Sequence, residues 1–479
     1  MKISGKSNIR NNLEISAKLK KIFVLIPDGV GLRNFVYSSF PEIAAGEGME
    51  IVYWNQTSKN LKKEGLQEIK LKGKPGIFTD LFKRAKIENE LNCFKERFKD
   101  PVYDTYKFPS SSVGIKNKLK NRIVRFLIGL YPGQKGVRKL QEKMEQSERR
   151  SFFYSQCRTL LEKEKPALLF CTNQRPIKAL APILAARDLG IKTGCFIFSW
   201  DNLPKATKIM NTDYYFVWSE LMKDELLKYY PDIQPEQIKI TGSPQFEVHF
   251  ENEYKWERKQ FFDTFGLDNK RKYLCFSGDD ITTSPGDHEY LEDVARAVEK
   301  LNSQGENLGI IFRRSPVDLS DRYDRVLDVY KSIITPIAPA WEKKGDNWNE
   351  VIPKEEDQTI QANTIAHSFM VINLGSSMVF DYASYSKPCA FINYNPGGAE
   401  MLKDVAVIYD YVHFRSMPEG AVYWINDRNE VDKVIKQVLE LKAGNVIQNA
   451  EVWFKRINKQ PADKATDRIS NYLKELIKN

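Results

Sequence analysis

The chain carries 479 residues, too many for one compact core, so two or three domains are expected. With 42% hydrophobic and 28% charged residues it is composed like an ordinary globular protein, and no apolar run approaches the roughly 18 residues that a membrane span requires. A net charge of +10 suits a phosphate-rich ligand or an anionic membrane surface, while the lack of zinc-finger spacing or an RNP-type aromatic motif argues against nucleic acid.

The start, Met1 to Lys20, is polar and mixed in charge and has no apolar signal-peptide core, which points to folding in the cytoplasm. Lys21-Ile-Phe-Val-Leu-Ile26 predicts a strand that ends at Pro27-Asp-Gly-Val-Gly31, followed by a helix-like stretch and a second strand at Met49–Trp54. Strand, glycine turn, helix and strand in that order open a βαβ unit. Residues 76–165 are helical in pattern and rich in Lys and Arg, and read as an insertion. Strand signals resume at Pro166–Cys171, Lys192–Phe198, Asp213–Trp218 and Gln237–Thr241, with helices at Pro176–Leu189 and Ser219–Tyr230 between them. This predicts an open, mainly parallel sheet with helices on its faces, a first domain over residues 1–246.

A charged connector at 247–270 precedes a restart of the pattern. Strands are predicted at Arg271–Phe276, Leu308–Arg313, Phe369–Asn373 and Pro388–Asn393, and helices at Asp287–Leu301, Gln358–His367 and Ser376–Ser386. That is a second Rossmann-like domain, residues 271–460. The tail from Glu430 reads as two or three amphipathic helices, and residues 461–479 are expected to pack back on the first domain. Six cysteines, Cys93, Cys157, Cys171, Cys195, Cys275 and Cys389, stand singly; without a C-x-x-C pair they read as buried thiols rather than a disulfide framework or a zinc site.

The strongest local signal for chemistry is Val371-Ile-Asn-Leu-Gly-Ser-Ser-Met-Val-Phe-Asp381, continuing to Lys387-Pro388. A buried strand ends, a glycine permits a tight turn, and two serines open the next helix; backbone N–H groups and hydroxyls at such a point can hold a diphosphate. Asp381 lies further into that helix, where a carboxylate can accept from ribose hydroxyls. A plain serine cap with a solvent-facing Asp is the alternative. The segment resembles the nucleotide-binding segment of GT-B glycosyltransferases, in which a small-residue loop contacts the donor diphosphate and an acidic residue contacts ribose. The resemblance implies those roles for Gly375, Ser376, Ser377 and Asp381, and implies a GT-B fold: α/β, two Rossmann-like domains facing across a cleft, with a C-terminal helical tail. The segment is also similar to the Ser-Ser-x-x-Phe-Asp stretch of CDP-glycerol glycerophosphotransferases, and the fold is shared with nonhydrolysing UDP-GlcNAc 2-epimerases. Phe198-Ser-Trp-Asp-Asn202, Asp213–Trp218 and Thr241-Gly-Ser-Pro244 are similar to the latter part of bacterial GT-B N-terminal domains, so the likeness covers about residues 160 to 395 and the opening strand pattern.

Phe312-Arg-Arg-Ser-Pro316 ends a strand of the second domain, and Arg313 and Arg314 there would neutralise donor phosphates through bidentate bonds. The family often has Arg-x-His-Pro at this point; Ser315 stands where the histidine would be, which counts against the CDP-glycerol reading. The loop Ser277-Gly-Asp-Asp-Ile-Thr-Thr-Ser-Pro-Gly286 offers Gly278, Thr282 and Thr283 to a sugar phosphate, with an ordinary strand-to-helix loop capped by Asp287 as the alternative.

On the acceptor side, Asp28 and Asp201 are the candidate bases for taking a proton from an acceptor hydroxyl, although each could be a turn-former. Gly29, Asn173, Arg175 and Asn202 are expected to line the same cleft. His249 and His413 show no partner in the sequence, His367 reads as a helix-end residue, and no His/Asp/Glu cluster has metal-ligand spacing, so neither a metal nor a cofactor is expected. Basic residues interleaved with a bulky apolar cluster over Lys116–Lys139 fit either an anionic membrane surface or an amphipathic helix packed on the domain. Together these readings predict a metal-independent glycosyltransferase taking a nucleotide-activated sugar to a glycan or lipid-linked acceptor, at the inner face of the plasma membrane if the basic segment touches lipid. The alternatives are a polyol-phosphate transferase, a sugar-nucleotide epimerase, or a non-catalytic scaffold that binds a glycan or a partner.

Overall fold

The computed structural model describes residues 19–107, 114–343, 351–397, 404–440 and 444–478; most of the start read as lacking a signal sequence lies outside them. Among the described residues the first domain is built on a parallel sheet of seven strands, β1 (Lys20–Ile26), β2 (Met49–Asn55), β3 (Glu68–Ile69), β4 (Leu168–Cys171), β5 (Lys192–Phe196), β6 (Tyr214–Val217) and β7 (Ile238–Ile240), in the order β3-β2-β1-β4-β5-β6-β7. β1 explains why a nearly unbroken apolar run is needed: Ile22, Val24 and Ile26 enter the core on one face of the sheet, Phe23 and Leu25 that on the other. Alternation along the strand supplies both helical layers, so every position must be apolar.

The second domain adds β8 (Lys272–Ser277), β9 (Leu308–Arg313), β10 (Ile334–Pro336), the antiparallel hairpin β11 (Trp341–Lys343) and β12 (Val351–Pro353), then β13 (Ser368–Asn373), β14 (Cys389–Ile392) and β15 (Tyr423–Ile425). Its main sheet is parallel, in the order β10-β9-β8-β13-β14-β15. Two parallel sheets with helices on their faces is the expected α/β architecture. The sequence reading missed β3, β10, β15 and the hairpin, which are two or three residues each and too short to carry a periodic signal.

The insertion is helical, with helices at Ile77–Phe98, Ile115–Leu130, Gly133–Arg149 and Phe152–Glu164. Leu81, Ala85, Val124 and Leu140 form its internal apolar seam. The tail crosses between domains. Helix Val446–Ile457 brings Trp453 against Trp200 of the first domain and Phe380 of the second. Helix Ala465–Lys478 lies on the first domain, where the Leu476 carbonyl accepts from Lys192 Nζ at 2.8 Å and Lys474 pairs with Glu47. All six cysteines are free and buried. Among the described residues no helix is long and apolar enough to cross a membrane.

Candidate functional site

In an open parallel sheet, ligands collect where the strand order reverses, beyond the carboxyl ends of the strands. The reversals fall between β1 and β4 in one domain and between β8 and β13 in the other. The loops leaving these strands meet in an interdomain cleft that holds a cavity of 310 Å³, lined by Arg33 and Ser199 on one side and Gly278, Arg313, Ser376 and Asp381 on the other. A second cavity of 380 Å³ adjoins it through Asp279 and is lined by Asp201, Lys205, Thr282, Thr283, Gly375 and His413. A further cavity, of 510 Å³, lies instead between the insertion and the residues that lead into β6 and β7. It is away from both reversals, so the cleft is the candidate site.

The turn after β13 is shaped by Gly375, whose φ of +64° belongs to the left-handed region that favours glycine. Asn373 Oδ1 accepts from Ser376 N at 2.8 Å, which holds the turn open, and the helix begins only at Met378 and ends at Ala383, shorter than the expected Ser376–Ser386. Ser377 occupies the cap position without making a side-chain cap bond. Lys387 is engaged within its own domain: it is half-buried and donates to the carbonyls of Ile365, Ala366 and Ser368, capping the helix Glu356–His367, and desolvation pulls its pKa down to about 8.

Asp381 is buried at the cavity wall, and its Oδ1 lies 2.7 Å from His249 Nε2. His249, which shows no partner in the sequence, therefore has one, and it ties the segment joining the domains to the second domain. His367 is the helix-end residue expected, 3.0 Å from the Trp256 carbonyl.

β9 delivers Arg313 and Arg314 to the cavity. Arg313 Nη2 donates to Asp357 Oδ1 at 2.7 Å. Asp357 also accepts from Ala340 N at 2.8 Å and Trp341 Nε1 at 2.6 Å. Burial opposes its ionisation, but Arg313 and these bonds hold its pKa below the usual range. Arg313 Nη1 is left buried without an acceptor, and so is Arg314 Nε. A buried unmet donor costs on the order of 1–3 kcal/mol, and both arginines line the cleft cavity.

The loop after β8 departs from its expected role. Asp280 accepts from Thr282 N at 2.8 Å, Thr283 N at 3.1 Å and Thr283 Oγ1 at 2.9 Å, and Thr282 Oγ1 donates to it as well. Both hydroxyls offered to a sugar phosphate are thus engaged by Asp280. At Gly278 a side chain would meet the Tyr323 hydroxyl at 2.9 Å. Arg322 clamps the loop, donating from Nη2 to Asp279 O at 2.7 Å and from Nη1 to Pro285 O at 3.1 Å.

The cap of the following helix is Gly286, and Asp287 is its first helical residue. The Asp287 carboxylate accepts from Asp279 N, Ser284 Oγ and Tyr323 OH, and burial raises its pKa to about 6. The folded state therefore binds this proton more tightly than the unfolded chain. The associated stability is present below the ordinary aspartate range and is lost as pH rises through about 6. In chemical denaturation followed between about pH 4 and pH 7, Asp287→Asn is expected to flatten the decline in unfolding free energy; an unchanged slope would reject this assignment.

On the acceptor side the structure corrects several expectations. Asp28 is fully buried as the cap of the helix Gly29–Phe35, accepting from Gly31 N at 3.1 Å and Asn173 Nδ2 at 2.6 Å. Burial raises its pKa, but both oxygens are engaged beneath the cleft, so it ties the β1 and β4 loops together and is not placed as a base. Asn173 is buried with it. Gly29 is covered by the β11–β12 hairpin, which leans across from the second domain. Asp201 does reach the second cavity. Burial opposes its ionisation, yet Lys205 and the Ser199 hydroxyl, 2.5 Å away, hold its pKa far below the carboxylate range, which makes it a weak base. Asn202 is buried and donates to Asp201 at 2.8 Å. Arg175 is exposed near both carboxylates.

Arg33 is a functional candidate that sequence reasoning missed. It donates to Gln245 Oε1 at 3.0 Å, lines the cavity opposite Arg313, and feels the charges of Asp381, Asp357 and Asp28 while burial pulls its pKa down. Val30 and Arg33 both line the cavity at i, i+3 spacing, and so do Gln358 and Gln361. Helical periodicity counted from the glycine turn would have found the first pair. Among the described residues no group of three or more His, Cys, Asp or Glu side chains is arranged to hold a metal.

Two facing Rossmann-like domains with a cleft at the carboxyl ends of their strands constitute a GT-B fold. Solved structures share it across nearly the whole chain. A glycosyltransferase from Rickettsia africae aligns with 96% of this chain and 99% of its own at a TM-score of 0.51 and 10% identity. A UDP-N-acetylglucosamine 2-epimerase aligns over 95% of each chain at 0.51 and 12% identity, and a candidate enzyme of the same kind from Listeria monocytogenes covers 96% and 97% at 0.52 and 11%. No family model matches the sequence, and no curated protein matches it.

Proposed function

We propose that this protein is a glycosyltransferase of the GT-B fold that takes its sugar from a nucleotide-activated donor without a metal ion and passes it to a glycan or lipid-linked acceptor. The observation that carries the reading is Arg313. Its guanidinium is anchored by Asp357 on one side and has an unmet buried donor on the other, in a cavity shared with Arg314, Ser376 and Ser377. A diphosphate supplies the missing acceptors, and the arginines take up the charge that develops on it as the sugar leaves. Ser376 and Ser377 are assigned to the diphosphate and Asp381 to the ribose of the same ligand. The likeness to an enzyme named as a glycosyltransferase agrees with this assignment and adds no detail to it.

For proton transfer we assign Asp279, which borders both cavities. Burial first, and then the neighbouring Asp280 and Asp287 carboxylates, push its pKa well above the usual range, the direction that favours holding a proton. Asp279→Asn is expected to lower turnover by roughly a hundredfold or more while leaving nucleoside diphosphate binding as in the parent. Loss of binding together with turnover would make Asp279 a loop-shaping residue.

One observation favours a second reading, a sugar-nucleotide epimerase: neither first-domain carboxylate is placed as a base towards an acceptor. The deciding experiment has two stages. A panel of nucleoside diphosphates is screened for thermal stabilisation, where a ligand at a hundred times its Kd contributes about 2.7 kcal/mol. The matching nucleotide sugars are then incubated with and without oligosaccharide or lipid-linked acceptors. Acceptor-dependent release of nucleoside diphosphate supports transfer, and interconversion of the nucleotide sugar alone supports epimerisation. If no nucleoside diphosphate stabilises the protein, both readings are withdrawn.

A further inference from the structure

We propose that the outward face of the helical insertion docks on an anionic lipid bilayer. The helix Ile115–Leu130 buries Val124 against the insertion, while Ile115 (86% exposed), Leu119, Phe126 (67%) and Leu130 face solvent. At 3.6 residues per turn these four exposed side chains fall within about 60° of the helix circumference, and Val124 lies roughly opposite them. The helix thus carries two apolar stripes, one for its own domain and one without a partner among the described residues.

Charge identifies what covers the second stripe. Lys118, Arg122 and Arg125 flank it on one side, Lys116 and Lys120 on the other, all of them exposed, and the helix contains no acidic residue. An apolar strip between two basic rows matches a surface with an acyl interior below and anionic headgroups above, the arrangement of a helix lying in the membrane plane.

The strip continues beyond this helix. Arg84 bonds Asn121, and Asn89 bonds the Tyr131 carbonyl, so helices Ile77–Phe98 and Ile115–Leu130 run in the same sense with their amino ends together. Ile77 (84% exposed) and Phe78 sit at that end. So does Phe152, also exposed, because Glu148 and Ser147 just before it bond Gly76 and Thr79. Three chain segments therefore present bulky apolar side chains at one edge of the insertion.

The test uses the full chain and sedimentation with vesicles of phosphatidylcholine alone or mixed with phosphatidylglycerol, at low and high salt. The parent is expected to bind the anionic vesicles, less so as salt rises, and not the neutral ones. Replacing Lys116, Lys118, Lys120, Arg122 and Arg125 by Gln should weaken binding at least a hundredfold, since each charge near such a surface contributes roughly fivefold. A second variant, Ile115→Ser/Leu119→Ser/Phe126→Ser, keeps the charge and should also lose most of the binding. Circular dichroism and elution volume check that both variants stay folded. Failure of the parent to bind anionic vesicles overturns the proposal, as does undiminished binding by either variant. A parent dimer that the serine variant converts to monomer also overturns it, by showing that a second copy covers the stripe. None of these outcomes depends on the reaction proposed above.

Discussion

Arg313→Met is expected to weaken nucleoside diphosphate binding by at least about a hundredfold and to leave the matching nucleoside nearly unaffected. A charge-assisted hydrogen bond contributes about 1.5–3 kcal/mol, and the guanidinium can make two such bonds to one phosphate, so the loss exceeds about 2.7 kcal/mol. The nucleoside carries no charge to neutralise. Removing Arg313 also strands the buried Asp357 carboxylate, and breaking a buried pair in this way costs roughly 3–5 kcal/mol of stability. The paired variant Arg313→Met/Asp357→Asn removes both charges and should recover most of that stability without recovering binding. Titration calorimetry of the parent and both variants against a nucleoside diphosphate and its nucleoside measures both effects. A parent that binds the diphosphate, with variants that bind it equally well, would place the phosphate elsewhere.

Trp453→Ala is expected to cost about 3–5 kcal/mol, the range for truncating a large buried aromatic side chain. Its ring lies 4.8 Å from Phe380 and 5.8 Å from Trp200, and its Nε1 donates to Ser416 Oγ at 3.0 Å. Trp200 belongs to the first domain and the other two to the second, so this one side chain fills the seam between them. For domains of this size each kcal/mol shifts Tm by about 2–4 °C, giving a fall on the order of 10 °C. The variant should also lose cooperativity, with one heat-capacity peak resolving into two as the domains unfold separately. A single peak at the parental temperature would show that the seam contributes little.

Much of the fold was legible because the strands that build it are buried on both faces. β1, β4, β9 and β13 are continuous apolar runs followed by glycine, asparagine or arginine, and both the runs and the turns after them were read directly. The two strand-order reversals could not be read, since order within a sheet depends on crossovers that leave no local mark. Gly375, Ser376, Ser377, Asp381, Arg313 and Arg314, singled out in the sequence as candidates for a donor site, line the two cavities of the cleft. Local spacing said nothing about which side chains were already engaged. Asp28 looks like a base until Asn173, 145 residues later, is seen to donate to it. Thr282 and Thr283 look free until Asp280 is seen between them. Each error concerned a partner fixed by tertiary structure, whereas strand burial is written into consecutive residues.

The contact at Gly29 ties the width of the cleft to a single hydrogen atom. A methyl group there would meet the Val351 carbonyl at 2.6 Å and the Pro353 ring at 2.8 Å, so the hairpin rests on bare backbone. Gln358, from the same domain as the hairpin, donates to the carbonyls of Arg33 and Tyr37 at 3.0 and 2.9 Å on the opposite wall. Rotation of the domains away from each other must break these bonds and lift β12 off Gly29 together. Separation is therefore a concerted event that gives up all of these contacts at once, and Gly29 stands one position from Asp28, the cap that holds the first domain's loops in register.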